Sequence, residues 1–274
     1  MNAPIRAAVI GYGGAFNMGK RHGESMHLTG RMKLAAVCDL DPARTEQAKQ
    51  DFPGIETFND PRDVFAHDGI DLVTVITPHN THAELAVGAL RSGKHAIVEK
   101  PMCITVDEAD AMISAARARN LMVTVFHNRR WDGDFQALKE IVDQGLIGDV
   151  FHVEMCGGNY GHPGTWWRSN KEISGGAFYD WGAHYVDWLL NLIDSPVEQI
   201  IGFTQKRMWM DVTNEDHVHS IIRFKNGAVA DITMSHLDRA PKPRWRVLGT
   251  KGAVISHDKY FEVRTDVDGV AAST

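Results

Sequence analysis

The chain has 274 residues, 43% hydrophobic and 23% charged, an ordinary globular composition with room for one large domain or two smaller ones. A formal charge of −6 without any basic block argues against a nucleic-acid backbone as partner. Three scattered cysteines, Cys38, Cys103 and Cys156, suggest neither a disulfide framework nor a thiolate zinc site. No apolar run is long enough to span a bilayer and no basic-then-apolar leader opens the chain, so a cytoplasmic protein without membrane partners is expected.

Up to about residue 125, short apolar runs alternate with helical patterns. "IRAAVI", "KLAAVCD", "DLVTVIT", "KHAIVEK" and "LMVTVF" are apolar on successive residues, as strands buried on both faces must be. Between them "DPARTEQAKQDF", "NTHAELAVGALRSG" and "TVDEADAMISAARARN" start near capping residues or proline and read as helices. The alternation predicts a doubly wound parallel sheet reached by right-handed crossovers.

The first strand runs into "GYGGAFNMGKRH", Gly11 to His22. Glycines after a strand and before a helix allow a tight turn and a close approach to a pyrophosphate, while the helix start supplies N–H donors. The usual spacing would place a third glycine at Phe16; here it stands at Gly19, three residues later. Asp39 ends the second strand about twenty residues on and suits the adenosine ribose hydroxyls, which favours NAD over NADP. Asp41, just before Pro42, fits the cap of the following helix better, and Arg44 lies close enough to bear on the preference. Cofactor contacts are assigned in the loop to Gly11, Gly13, Gly14, Phe16, Asn17 and Met18, and to Asp39 after the second strand.

"TPHNTH" follows the third apolar run. Pro78 turns the chain out of the strand and Asn80 or Thr81 can cap the next helix. The carboxyl end of a parallel strand is where ligands bind, so Thr77, Pro78, Asn80 and His82 join the cofactor set; a plain strand-to-helix turn is the rival reading. "EKP", Glu99 to Pro101, ends the next strand, where proline holds Lys100 extended at the sheet's carboxyl edge. Glu99 and Lys100 complete the cofactor contacts.

After about residue 130 the runs lengthen and partly alternate: "DVFHVEMCGG", "VEQIIGFTQKRMW", "DHVHSIIRF", "AVADITMSHL", "RWRVLG" and "YFEVRTDV". Asn-Gly in "KNGA" marks a hairpin. These predict an antiparallel sheet with one clear helix, "GGAFYDWGAHYVDWLLNLI". Phe178, Trp181, Tyr185, Trp188, Leu189 and Leu192 form its buried stripe. Asp180 and His184, four apart, share another face with Asp187; either they do chemistry or the histidine is hydrogen-bonded to the aspartate for stability. His217 and His219 in "HVH" could chelate a metal, but no third ligand is evident and no metal is assigned.

The ordered set — glycine loop through His22, "VITPHNTHAELAVGAL", "GKHAIVEKP", "FHNRRW", "GLIGDV" and "WWRSNKEISGGAFYDWGAHYVDWL" — resembles the glucose–fructose oxidoreductase / inositol dehydrogenase / rhizopine catabolism family, Gfo/Idh/MocA. The resemblance covers most of the chain to about Leu192. It implies an N-terminal Rossmann domain, placed at 1–127, and a C-terminal α/β domain with a large, open, mostly antiparallel sheet, placed at 128–274. It also implies Lys100, Asp180 and His184 as the catalytic group. The longer glycine loop and the chain end at Thr274, earlier than in the family generally, are departures; the second suggests a short or truncated member.

The reaction implied is oxidation of a secondary alcohol of a sugar or cyclitol, or reduction of the matching ketone, with NAD as hydride acceptor. His184 would take the hydroxyl proton. Lys100 would stabilise the developing alkoxide. Asp180 would orient the substrate, and Arg129, Trp167 and Arg168 would line its pocket. A homo-oligomer, dimer or tetramer, through the C-terminal sheet is expected. Two rivals stand: a non-catalytic NAD-binding regulator, and a redox-neutral NAD-dependent glycosidase or lyase.

Overall fold

The computed structural model describes residues 3–267 and 270–273, so the chain end at Thr274 lies outside the described residues. The chain divides into two compact units, Met1–Phe126 and His127–Thr274.

The first unit holds β1 (Ile5–Ile10), α1 (Met18–Leu28), β2 (Met32–Cys38), α2 (Pro42–Asp51), β3 (Glu56–Phe58), α3 (Pro61–Ala66), β4 (Leu72–Val75), α4 (His82–Arg91), β5 (His95–Val98), α5 (Val106–Arg119) and β6 (Val123–Val125). All strand pairs are parallel, in the order β3-β2-β1-β4-β5-β6. The order reverses between β1 and β4, the point where doubly wound sheets bind ligands. Continuous apolar strands are explained by the two faces they bury. Ala7 and Val9 pack with Met26 of α1 and Ala48 of α2; Ala8 and Ile10 pack with Val64 of α3 and Ala89 of α4. Local signals set the helix ends. Asp41 caps α2 by accepting from Ala43 N at 2.9 Å, with Pro42 at the first helical position. Thr105 and Glu108 form a reciprocal capping box on α5. β3 and α3 have no counterpart in the sequence reading. Three and six residues are too short to show a period, and the Asp60–Pro61 cap is their one local mark.

The second unit contains α6 (Gly133–Asp143), β7 (Val150–Gly158), α7 (Lys171–Ser174), α8 (Phe178–Leu192), β8 (Val197–Gln205), β9 (His217–Phe224), β10 (Val229–Ser235), β11 (Trp245–Gly249), β12 (Gly252–Ser256), β13 (Phe261–Val267) and β14 (Val270–Ser273). Its eight-stranded sheet runs β14-β13-β12-β11-β7-β10-β9-β8. It is mostly antiparallel, as expected, with β7 and β10 the one pair that runs in parallel among the described strands. A run of residues reveals a strand, not its direction relative to a neighbour 70 or more positions away. Asn226–Gly227 does close the β9–β10 hairpin, with Gly227 at φ +87°.

The strand expected over 197–209 stops at Gln205. Beyond it the backbone N–H groups of Arg207, Met208 and Trp209 turn inward to the Asp216 carboxylate. α6 likewise has no counterpart in the sequence reading. Phe135 and Leu138 from α6 and Tyr185, Trp188 and Leu189 from α8 pack on Val153, Met155, Ile232 and Trp245 of the sheet. Trp188 lies 4.9 Å from Trp245 and 5.8 Å from Phe135, centroid to centroid. Truncating such a buried ring costs about 3–5 kcal/mol.

Candidate active site

In the first unit, β1 ends directly in the glycine loop. Gly11 sits at φ +91°, and a Cβ there would lie 2.6 Å from the Ile76 carbonyl oxygen. Its glycine identity is therefore imposed twice, by torsion and by the close passage of β4's continuation. Gly13 N donates to Asp39 Oδ2 at 2.9 Å, while Asp39 Oδ1 accepts from Asp41 N at 2.9 Å. Asp39 is thus aimed at the loop by two backbone bonds. The late third glycine has a physical role. A Cβ on Gly19 would lie 2.7 Å from Tyr12, so Gly19 lets α1 cross the loop at close range. The extra residues, Phe16 and Asn17 among them, are exposed, and Asn17 starts α1 from a left-handed φ of 52°. Met18 is the first helical residue.

The loop is tied from below. Tyr12 Oη donates to Asp51 Oδ2 at 2.7 Å and Lys20 Nζ to Asp51 Oδ1 at 2.8 Å. Burial and the Asp51 carboxylate both push the Tyr12 hydroxyl well above its ordinary pKa. Sequence reasoning gives no hint of this clamp, because Asp51 is one acid among many on a helix.

Arg44 stands over the loop on the outer side. Its guanidinium carbon is 2.5 Å from where a Cβ on Gly14 would be. Arg44 pairs with Asp41 at 3.7 Å and keeps 44% of its side chain exposed.

Thr77 and Pro78 continue from β4 into a short turn, His79–Thr81, on which Asn80 is exposed. Thr81 does not cap α4 with its side chain. Its Oγ1 instead bonds Thr77 Oγ1 at 2.7 Å and Pro78 O at 2.8 Å. His82 is fully buried, with Nδ1 2.8 Å from Pro101 O and Nε2 2.8 Å from Thr77 O. It ties the ends of β4 and β5 together, a placement inside the scaffold that its motif does not reveal. Glu99 is largely buried, with Oε1 2.8 Å from His22 Nε2 and Oε2 accepting from Lys100 N at 3.1 Å. Lys100 follows, half-buried, at the carboxyl end of β5.

In the second unit, an open cleft of about 1680 Å³ is walled by Arg168, Asp180, Trp181, Tyr185, Asp216 and His236 among others. Asp180, in the first turn of α8, accepts from Arg168 Nη1 at 2.7 Å. The Arg168 guanidinium lies over Trp167 at 4.9 Å and Trp166 at 5.5 Å. Spacing places Asp180 and His184 on one face, and the fold adds Arg168 as a cation that holds Asp180. His184, one turn along, is 4% exposed and packs edge-on against Trp181 at 5.5 Å and His127 at 6.2 Å. Arg129 stacks over Trp181 at 5.0 Å, and its carbonyl accepts from Trp188 Nε1 at 2.9 Å. Asp187 is bound by both Arg130 Nε and Nη2, at 2.8 and 2.5 Å, which makes it a structural anchor of α8.

Two cleft residues carry no sequence signal. Asp216 is 1% exposed; burial opposes its charge, but the N–H groups of Met208 and Arg207 and the Lys206 ammonium prevail and hold its carboxyl at about 2. Burial pushes the His236 imidazole below its usual pKa, against the pull of Asp216 and Asp180. Of the metal candidates, His219 pairs with Asp231 at 2.9 Å.

The strand order, the glycine turn at the sheet's switch point and the aimed Asp39 carboxylate define the first unit as a dinucleotide-binding Rossmann domain. Residues 5–127 match the family model described as an oxidoreductase family, NAD-binding Rossmann fold, and residues 135–255 match the GFO/IDH/MocA C-terminal domain. The chain is 30% identical over 259 residues to the uncharacterized oxidoreductase YdgJ of Escherichia coli K12, covering 94% of this chain and 72% of that one. It is 30% identical to the scyllo-inositol 2-dehydrogenase (NADP(+)) IolW of Bacillus subtilis 168, over 70% of this chain and 52% of IolW. A solved NAD-binding protein from Listeria innocua superposes with a TM-score of 0.88 at 32% identity, covering 99% of this chain and 81% of the other. The chain belongs to the Gfo/Idh/MocA family of NAD-binding oxidoreductases.

Proposed function

We propose that this chain is a dehydrogenase that oxidises a secondary alcohol of a sugar or cyclitol, or reduces the matching ketone, with NAD preferred over NADP. The observation that carries the reading is the Arg168–Asp180 pair, a charged hydrogen-bonding couple presented on an aromatic-walled cleft. Aromatic faces with a few fixed polar groups suit a polyol ring. The inositol substrate named for IolW supports the same class.

NAD, when bound, supplies the hydride acceptor; the chain supplies proton handling and charge. His184 takes the hydroxyl proton as general base, because an imidazole titrates nearest neutral pH. Lys100 donates a hydrogen bond to the same oxygen and stabilises its developing charge. Asp180, held by Arg168, accepts from a neighbouring substrate hydroxyl and fixes the ring. Arg129, Arg168 and Trp167 shape the pocket. Asp39 accepts from the adenosine ribose hydroxyls and repels a 2′-phosphate.

The test is a screen of inositols, other polyols and sugars with NAD, read by NADH absorbance alongside product analysis. Accumulating NADH supports the dehydrogenase. Product without net NADH favours a redox-neutral lyase or glycosidase, and no turnover with intact NAD binding favours a regulator.

A further inference from the structure

His22 and Glu99 lie 77 positions apart in the chain, one in the helix that follows the glycine loop and the other beside Lys100. Read alone, the glycine-loop motif gives His22 no purpose, and EKP gives Glu99 only an expected cofactor contact. In the fold His22 Nε2 and Glu99 Oε1 are 2.8 Å apart, with side-chain exposures of 5% and 12%. The other carboxylate oxygen accepts from Lys100 N at 3.1 Å. Phe126 packs on the imidazole at 4.4 Å between centroids, and Glu99 N is fixed to Val75 O at 3.0 Å. The two oxygens of one buried carboxylate therefore act in series: α1 holds one, and the other holds the backbone of Lys100.

We propose that His22 is a positioning residue that acts through Glu99 to fix Lys100. This rests on the reading of Lys100 as a group at the reacting oxygen. A carboxylate buried this far must be hydrogen-bonded to stay in place. His22 is the side chain that spans from α1 to do so. Without it, Glu99 is free to reorient toward water, and its second oxygen leaves the Lys100 amide. A lysine that must aim its ammonium within a fraction of an ångström then loses rate, since catalysis depends on prepaid orientation. The bond also links the helix that opens at the cofactor loop to the residue that handles charge on the substrate.

The first readout needs no substrate. Amide exchange of Lys100 is followed by NMR on the full chain saturated with NAD. His22→Leu keeps volume against Phe126 and removes the donor; His22→Gln restores an N–H in the place of Nε2. The expected result is exchange of the Lys100 amide about tenfold faster or more in His22→Leu, near normal in His22→Gln, with the Val9 and Val73 amides unchanged. If the single variant does not fold, His22→Leu/Glu99→Met removes the carboxylate along with its partner and must show the same gain. Unchanged Lys100 exchange in a folded variant overturns the proposal. In turnover with myo- or scyllo-inositol, His22→Leu should lower kcat with NAD affinity unchanged, and should add nothing to Lys100→Ala; multiplied effects also overturn it. Normal turnover in Lys100→Ala would instead sink the role given to Lys100, whatever the exchange result.

Discussion

Arg168 holds Asp180 across 2.7 Å, so the carboxylate that α8 turns toward the cleft is fixed from a loop twelve residues upstream. The guanidinium that does this is itself pinned on two indole faces. Its planarity matters, because an ammonium could not stack in the same way.

Arg168→Met should therefore lower kcat/KM for the polyol substrate by about tenfold or more, with NAD affinity unchanged. A charge-assisted hydrogen bond of this kind contributes about 1.5–3 kcal/mol. Arg168→Lys should rescue only part of the loss. Steady-state kinetics with calorimetric NAD titration checks both halves, and an unaltered kcat/KM in Arg168→Met would remove the pair from the substrate site.

Cofactor choice turns on two side chains at the glycine loop. Asp39, aimed by Gly13 N, should make NAD bind at least tenfold more tightly than NADP. Asp39→Ala should narrow or reverse that ratio, because it leaves the half-exposed Arg44 to meet a 2′-phosphate. Calorimetry with both cofactors decides it; equal affinities in the unaltered chain would take the role from Asp39.

His184 separates chemistry from packing. If it is the general base, oxidation rate rises with pH through its ionisation and levels off. His184→Asn should flatten that limb and lower the rate by about a hundred- to ten-thousandfold. The Arg168 bond keeps Asp180 in place in that variant, so melting temperature should change little. A large drop in melting temperature with full specific activity would identify His184 as a core residue only.

Asp216 gives a stability signature in acid. Its folded carboxyl sits at about 2, below an unfolded value of about 3.9. A lowered pKa stabilises the fold above the unfolded value, and that contribution is lost as pH falls through the folded one. The difference amounts to about 2–3 kcal/mol. Asp216→Asn should therefore be less stable than the unaltered chain at neutral pH, and the gap should close as pH approaches 2. Denaturant melts across that range measure it; a gap that does not depend on pH would place the destabilisation elsewhere.

β8 is an edge strand exposed along its whole length, with Ile200 62% and Phe203 54% exposed. Apolar side chains on an open sheet edge invite a second copy of the chain. Sedimentation velocity should show a dimer or tetramer, and Phe203→Glu should shift it toward monomer. A monomeric unaltered chain would refute the assignment.

The glycine loop and the EKP lysine are legible in the sequence because their chemistry is local: a torsion, a cap or a chain direction is dictated by a handful of neighbours. The helix of Phe178–Leu192 is legible for the same reason, since its aromatic stripe repeats at 3.6-residue intervals. α6 carries a clear helical spacing, Phe135, Leu138, Ile141 and Val142, that the sequence reading misses, while the three-residue β3 falls below what periodicity can show. Thr81 looks like a helix cap by composition, yet its hydroxyl bonds Thr77 and Pro78, because both acceptors lie within one turn of it.

The sequence by itself determined the parallel first unit and its dinucleotide turn. Two-faced burial and caps act over a few residues and are written into them. Tertiary structure decided the partnerships. Arg168 for Asp180, His22 for Glu99, Asp51 for Tyr12 and β10 beside β7 each join segments brought together only by packing of the core. A buried charge accepts whichever complementary group the fold delivers within hydrogen-bond reach, and that delivery depends on the path of the whole chain.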